Sequence, residues 1–332
     1  MTIADDLQNR WYVDRAPPWW TRPLAASYGS VTAARRGMYR HGWLRSERLP
    51  VPVIVVGNIV AGGAGKTPLT IALVQGLRER GFRPGVVSRG YGGTARAPML
   101  LDAQPDPAVT GDEPALIRVR TGVPVAIAAK RVLAARLLVS EAVNVIVADD
   151  GLQHYALARD VEICVIDGAR RFGNGRLLPA GPLREPESRL RTVDFIVCNG
   201  GDAHNGEVPM HLALADAVTL AEPARTSPLV AFSGTRVRAV AGIGHPARFF
   251  DALRALGIDV IAHPFPDHHR YTAVDLEFGD GLPVLMTEKD AVKCRAFAKE
   301  NAWAVPVTAE LPVSFFDAVA AHLDRPAAHQ PR

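Results

Sequence analysis

The chain has 332 residues, 48% of them hydrophobic and 22% charged, which is the composition of an ordinary globular protein and excludes a disordered or fibrous one. At roughly 150 residues per domain, this length predicts two domains. The net charge of +4 is local. Residues 1–50 hold eight Arg, four acidic residues and no Lys, whereas the rest of the chain carries 30 basic and 30 acidic residues and is neutral. Cys164, Cys198 and Cys294 lie far apart, two of them in apolar runs, which argues for a reducing compartment and against a disulfide framework or zinc site. No apolar run approaches the ~20 residues of a membrane-spanning helix. The N-terminus also lacks the charged-then-apolar layout of a signal peptide.

Residues 1–50 read as helices broken at Pro17-Pro18 and Pro23. Trp11, Trp19, Trp20 and Trp43 fall here among the arginines. That mixture suits an anionic membrane surface or an acidic amphiphile. It suits equally an amphipathic helical segment that packs its Trp residues on the first domain, and composition alone does not choose.

Pro50 and Pro52 precede the first core strand, Val53-Ile54-Val55-Val56-Gly57. After it come Val60-Ala61-Gly62-Gly63-Ala64-Gly65-Lys66-Thr67 and then a helical pattern through Leu69, Leu73 and Leu77. A phosphate-binding loop needs this order, because glycines let backbone N–H groups close on phosphate oxygens at a helix N-terminus. Lys66 would reach the β- and γ-phosphates of a nucleotide, and the Thr67 hydroxyl would hold Mg²⁺. Val60 stands where the usual pattern has its first glycine. Ala61 stands where the paired-glycine loops of nucleotide-driven switches and metal-delivery ATPases or GTPases carry a signature lysine, which counts against that alternative.

The helix is expected to stop at Gly81. A strand, Gly85-Val86-Val87-Ser88, then leads into Arg89-Gly90-Tyr91-Gly92, and Gly111-Asp112-Glu113-Pro114 opens a further helix with acids in its first turn. A strand at Val123–Ile127 and a helix at Lys130–Glu141 follow. Val145-Ile146-Val147-Ala148 then ends in Asp149-Asp150-Gly151-Leu152-Gln153-His154. An apolar run ending in carboxylates describes a buried parallel strand with acids at its carboxyl end, the magnesium side of a phosphate loop. Strands at Val161–Ile166 and Phe195–Cys198 flank a loop rich in Gly, Pro and Arg that contains Arg171, Arg176 and Glu185.

This alternation predicts an α/β fold, a P-loop-type doubly wound and mostly parallel sheet. The pattern breaks near Glu222–Pro228. The expected organisation is therefore an N-terminal helical segment (1–50), a phosphate-loop domain (51–224) and a smaller α/β domain (225–332) that closes a cleft against it. The second unit reads as strand Arg238–Ala241, helix Pro246–Leu256, strand Asp259–Ala262, strand Val284–Thr287 and a last helix from Glu288.

In these residues the chain resembles the tetraacyldisaccharide 4'-kinase family, the lipid A 4'-kinases. The carriers are Gly57-Asn58 with Gly62–Pro68, Ser88–Gly92, Gly111–Pro114, Asp149–His154, Gly173-Asn174-Gly175-Arg176 through Glu185, Gly242-Ile243-Gly244, Phe265-Pro266-Asp267-His268 and Thr287-Glu288-Lys289-Asp290. They run in order over residues 10–320. The resemblance implies ATP-dependent phosphorylation of the 4'-hydroxyl of a tetraacylated glucosamine disaccharide 1-phosphate, the lipid A precursor. It implies a peripheral protein at the cytoplasmic face of the inner membrane, with no nucleic-acid partner and no obligate protein partner. It also implies that Asp112 is the general base and His268 its partner, and that Val60 is tolerated in the loop. Lys66 and Mg²⁺ would neutralise the phosphates, the metal being held by Thr67 with one or both of Asp149 and Asp150. Glu113, Gln153 and Glu185 are weaker candidates for substrate roles. Arg89, Arg171 and Arg176 could meet the 1-phosphate.

Overall fold

The computed structural model describes residues 10–13, 16–222 and 225–324. The N-terminal segment contributes helix α1 (Thr21–Arg40). Pro23 does not break it, because it sits in the first turn, where a missing N–H has no intrahelical partner to lose.

The central strand β1 (Val53–Gly57) runs into the glycine-rich turn and helix α2 (Lys66–Glu79). Next come β2 (Pro84–Ser88), the short β3 (Met99–Leu100), the single-turn α3 (Pro107–Thr110), α4 (Asp112–Thr121), β4 (Val125–Ile127), α5 (Arg131–Val139) and β5 (Val145–Ala148). Strands β6 (Val161–Asp167), β7 (Phe195–Asn199) and β8 (Glu207–Leu214) complete this run. Every residue of β1, β2, β4, β5 and β6 is buried, which is why these strands read as largely apolar runs rather than alternating ones.

The chain then enters a second sheet with β9 (Ala217–Thr219), β10 (Thr226–Ser227), β11 (Arg236–Ala241), helix α6 (Pro246–Ala255), β12 (Asp259–Pro264), β13 (Val284–Thr287), helix α7 (Glu288–Cys294) and β14 (Ala302–Val305). It returns to the first sheet with β15 (Val307–Glu310) and helix α8 (Val313–Leu323).

The first sheet has nine strands in the order β15-β8-β7-β6-β1-β5-β2-β4-β3. From β8 to β4 the pairing is parallel, and β15 and β3 close the edges antiparallel. The second sheet has six strands in the order β10-β9-β14-β13-β11-β12. Alternate residues of β1 feed the cores on its two faces. Ile54 and Val56 pack with Leu69 and Leu73 of α2, Ile117 of α4 and Phe315 of α8, whereas Val53 and Val55 pack with Leu138 of α5.

The strands do not divide between the sheets at 224/225 as expected. Residues 223–224 lie outside the described residues, but β9 already belongs to the second sheet, and β15 and α8 belong to the first. The helix at Glu288 is not the last either. β8, β9, β14, β15 and α8 were not anticipated, and β8 shows why: only Met210 is buried along it, and Glu207, Pro209 and His211 interrupt its apolar residues and hide the strand pattern.

Because Phe315 seals α8 onto the first core, Phe315→Ala should cost about 3–5 kcal/mol of unfolding free energy in a urea titration. A loss below about 1 kcal/mol would show that α8 lies outside the cooperative core.

Candidate active site

The site begins where β1 ends. Because β1 pairs with both β5 and β6 in parallel, the segments that follow these strands leave the sheet side by side at one edge. Gly65 caps α2 with φ +93°, and an added Cβ would lie 2.5 Å from Asn199 Nδ2, so only glycine fits there. The carbonyls of Gly62, Gly63 and Ala64 accept hydrogen bonds from Asn58 Nδ2 (3.3 Å), Arg170 (2.6 Å) and Asn199 Nδ2 (3.1 Å). In a trans peptide the next N–H points the opposite way, so those of Gly63, Ala64 and Gly65 turn to the other side, as an anion-binding loop requires. Val60 is buried and bridges to Leu183, and the Ala61 N–H donates to the Pro182 carbonyl at 2.7 Å. A strand-like residue pairs there in extended backbone, and no glycine is needed.

Lys66 opens α2, and its ammonium lies 3.5 Å from Asp150 Oδ1. Asp150 also faces Arg184 at 3.3 Å. Burial alone would raise its pKa, but the charges of Lys66, Arg184 and Arg131 hold it below the usual carboxylate range. Asp149 behaves in the opposite way. It is fully buried, with the Thr70 hydroxyl donating to it at 3.1 Å. Burial, together with the charges of Glu113 and Asp150, pushes its pKa up to about 7. Two adjacent acids thus present one firm negative charge and one that an additional cation would stabilise.

Across the cleft, α4 presents Asp112 at its N-terminus. Gly111 brings it there with φ +89°, and any side chain at Gly111 would strike the Tyr91 carbonyl at 2.4 Å. The second sheet answers with the loop after β12, where His268 adopts φ +60° and sets its Nδ1 3.1 Å from Asp112 Oδ2. Tyr91 meets the His268 ring edge-on, with centroids 5.2 Å apart. Helix α7 brings two ammonium groups to the same place. Lys293 Nζ lies 3.6 Å from Asp112 Oδ2, while Lys289 Nζ lies 3.6 Å from Glu113, 3.2 Å from Asp267 and 3.5 Å from His268 Nε2. Burial would raise the Asp112 pKa. The His268 hydrogen bond and the charges of Lys293, His268 and Lys289 outweigh burial and hold it low.

A phosphate loop, paired carboxylates beside it and a carboxylate–imidazole pair opposite it form the equipment of phosphoryl transfer. The comparisons with known proteins agree. A family model described as tetraacyldisaccharide-1-P 4'-kinase matches residues 17–324. The chain belongs to the tetraacyldisaccharide 4'-kinase family. A tetraacyldisaccharide 4'-kinase of Stenotrophomonas maltophilia is 55% identical over 325 residues, covering 95% of this chain and 96% of that protein. One of Xanthomonas campestris pv. campestris is 53% identical over 336 residues, covering 95% of each. A crystal structure of the "apo" form of LpxK from Aquifex aeolicus in complex with ATP superposes with a TM-score of 0.78 at 28% identity, covering 91% of this chain and 98% of that one. As a 4'-kinase of lipid A biosynthesis, the chain is an enzyme with the P-loop kinase fold.

The weaker candidates of this 4'-kinase separate in space. Glu113 stands beside Asp112 and acts electrostatically on Asp149. Arg89 is exposed in an open cleft of about 260 Å³ that it lines with Tyr91 and Arg96. Arg171 is taken up by Glu207, with contacts at 2.7 and 2.9 Å, and Arg176 is exposed. Gln153 donates to the Asn58 carbonyl and to Glu185, both at 3.0 Å. Glu185 is buried and is also held by the Tyr155 hydroxyl, Arg36 of α1 and Arg189. Sequence reading gave no role to Arg131, Arg170, Arg184, Tyr91, Lys289 or Lys293. Lys289 and Lys293 share one helix face four residues apart, but nothing local to α7 shows which helix they meet.

With so many partners converging on it, Glu185→Ala should destabilise the protein by about 3 kcal/mol in chemical denaturation, because Tyr155 and Arg36 lose their buried acceptor. Wild-type stability with a raised acceptor KM would instead assign Glu185 to the substrate.

Proposed function

We propose that this 4'-kinase transfers the γ-phosphate of ATP using Lys66 and the Val60–Thr67 loop to hold the phosphates, and Asp112 as the base for the acceptor hydroxyl. The observation that carries this reading is the 3.1 Å contact between Asp112 at the start of α4 and His268 in the loop after β12. A carboxylate held ionised can take the hydroxyl proton as the new P–O bond forms, and the imidazole on Oδ2 orients it and shares the proton. Lys66 and the α2 N-terminus stabilise the charge that develops on the phosphates. Between two domains this chemistry is shielded from water, which would otherwise consume ATP.

The acidic pair suits Mg²⁺. Asp149, buried and driven towards protonation by neighbouring acids, is a carboxylate that a divalent cation would relieve. Among the described residues, no group of three or more His, Cys, Asp or Glu is arranged as a metal site. A magnesium ion can take most of its ligands from water and phosphates. Thr67, Asp149 and Asp150 would hold it, and it would neutralise charge on the transferring phosphoryl group.

We further infer that α1 docks on an anionic membrane surface, such as the cytoplasmic face of the inner membrane where the acylated acceptor would lie. Trp11 is buried and donates to the Pro179 carbonyl, so part of the segment packs on the first unit. Trp19 and Trp43 are 81% and 80% exposed. Trp20, Leu24 and Val31 are exposed as well, and their spacing puts them on one stripe of the helix. No described helix is long and apolar enough to cross a membrane, so attachment would be interfacial.

Lys66→Ala should lower turnover at least a hundredfold with an unchanged melting temperature, measured by transfer from labelled ATP to the tetraacylated disaccharide 1-phosphate. Near-normal transfer by a folded variant would end the phosphate-loop assignment. For α1, Trp19→Ala/Trp20→Ala should weaken cosedimentation with vesicles, more so with anionic than with zwitterionic lipid. Unchanged vesicle binding together with a collapsed melting temperature would make the tryptophans packing residues instead.

A further inference from the structure

The environment of Asp112 contains a group that the proposed chemistry does not use. Lys293 is nearly enclosed, its side chain 8% exposed, and its ammonium sits 4.9 Å from the centroid of the Tyr271 ring. Asp290, one helical turn earlier, holds it at 2.9 Å through Oδ1. Asp290 is itself fully buried and anchored through Oδ2 by the Gly242 N–H at 2.8 Å and the Thr287 hydroxyl at 2.6 Å. The lysine is therefore clamped from behind by elements of the second sheet. Its remaining neighbour is Asp112 Oδ2, 3.6 Å away on the first unit and the same oxygen that His268 contacts. The contact with Asp290 is an ion pair without hydrogen-bond alignment, which leaves the N–H bonds of a buried ammonium free to turn forward. Buried ammonium groups are ordinarily hydrogen-bonded, so this one is poised to bond elsewhere.

We propose that Lys293 is a positioning residue for phosphoryl transfer: clamped by Asp290, it presents a fixed positive charge to Asp112 Oδ2 and, with His268, keeps that carboxylate ionised and aimed while Oδ1 meets the acceptor hydroxyl. This rests on the reading of Asp112 as the base. The other charged or titratable groups around Asp112 are Glu113 on its own helix, Lys289 and Asp290 on α7, and Asp267 and His268 on the loop after β12. Tyr91 packs against His268 and Tyr271 against Lys293. Lys289 is engaged by Glu113 and Asp267, which leaves Lys293 as the cation closest to Asp112 itself. The proton that leaves the hydroxyl ends on the Asp112–His268 pair, and Lys293 neither gains nor loses one.

Removing Lys293 alone would strand the buried Asp290 charge, so the test replaces both, as Lys293→Met/Asp290→Asn. Asparagine retains an acceptor for the Gly242 N–H. The base works only when deprotonated, and withdrawal of a nearby positive charge raises its pKa. The acid limb of kcat/KM should therefore move to higher pH, by roughly one unit. Turnover at neutral pH should fall roughly tenfold or more, while the acceptor KM stays within about threefold, since only a transition-state interaction is lost. Lys293→Arg, which keeps the charge, should retain the wild-type limb, and Lys293→Gln/Asp290→Asn should behave like the first double variant should that one not fold. In an Asp112→Asn background the double replacement should have almost no further effect on kcat. A folded double variant with wild-type kcat and an unmoved limb, alongside an inactive Asp112→Asn enzyme, would overturn the role of Lys293. An active Asp112→Asn enzyme would instead remove the base assignment itself.

Discussion

The structure depends on one constraint, the insertion of β1 between β5 and β6 in parallel register. The residues after β1 become the glycine loop, those after β5 become Asp149 and Asp150, and those after β6 include Arg170. Parallel strands end at a common edge, so an anion-binding loop, a pair of acids and a basic side chain meet there without a long connection. Lys66 faces Asp150 for the same reason. The cost of collecting like charges is visible at Asp149, whose burial is compatible with charge only when more cations than Lys66 are near.

The second sheet supplies what this edge lacks. Its strands β11, β12 and β13 are also parallel neighbours, and the segments following them carry Gly242, His268 and the lysines of α7 to one side. It brings Lys289 and Lys293 against the two acids that open α4, with His268 in contact with Asp112. Opposite charge across a cleft favours approach of the two units, and the Arg120–Glu288 pair adds a further α4–α7 contact of 2.5 Å.

The phosphate loop, the strand ending at Asp149 and the helix opening at Asp112 were legible because each couples a local backbone requirement to an apolar run. Gly65 and Gly111 occupy left-handed backbone where another residue would collide with Asn199 or Tyr91. The weaker candidates were less legible. Glu185 has the type and loop position of a substrate ligand, yet its surroundings come from Arg36, Tyr155 and Arg189, spread over more than 150 positions. Arg171 was similarly ambiguous until Glu207 appeared beside it. A residue's chemistry is written locally, whereas its partner is set by topology. For the same reason nothing local to Lys293 gave it a role. The late strands escaped because β14 and β15 are short and joined across Pro306, so neither shows a periodic run of its own.

The return of β15 and α8 to the first sheet has a bearing on how the protein is made. β15 pairs with β8 from almost a hundred positions away, as Val307 with Leu214, and Phe315 and Val319 complete a core begun by Ile54. During synthesis, therefore, the nucleotide-binding unit emerges first but lacks an edge strand and a covering helix until residues 307–323 leave the ribosome. The intervening sheet pairs its described strands among themselves, so its pairing does not wait for β15. An open β8 edge over that interval is a surface for wrong pairing, and the exposed His211 and the Pro209 on that strand are of the kind that discourages it. Loss of residues 307–323 would thus expose the core of the kinase unit itself.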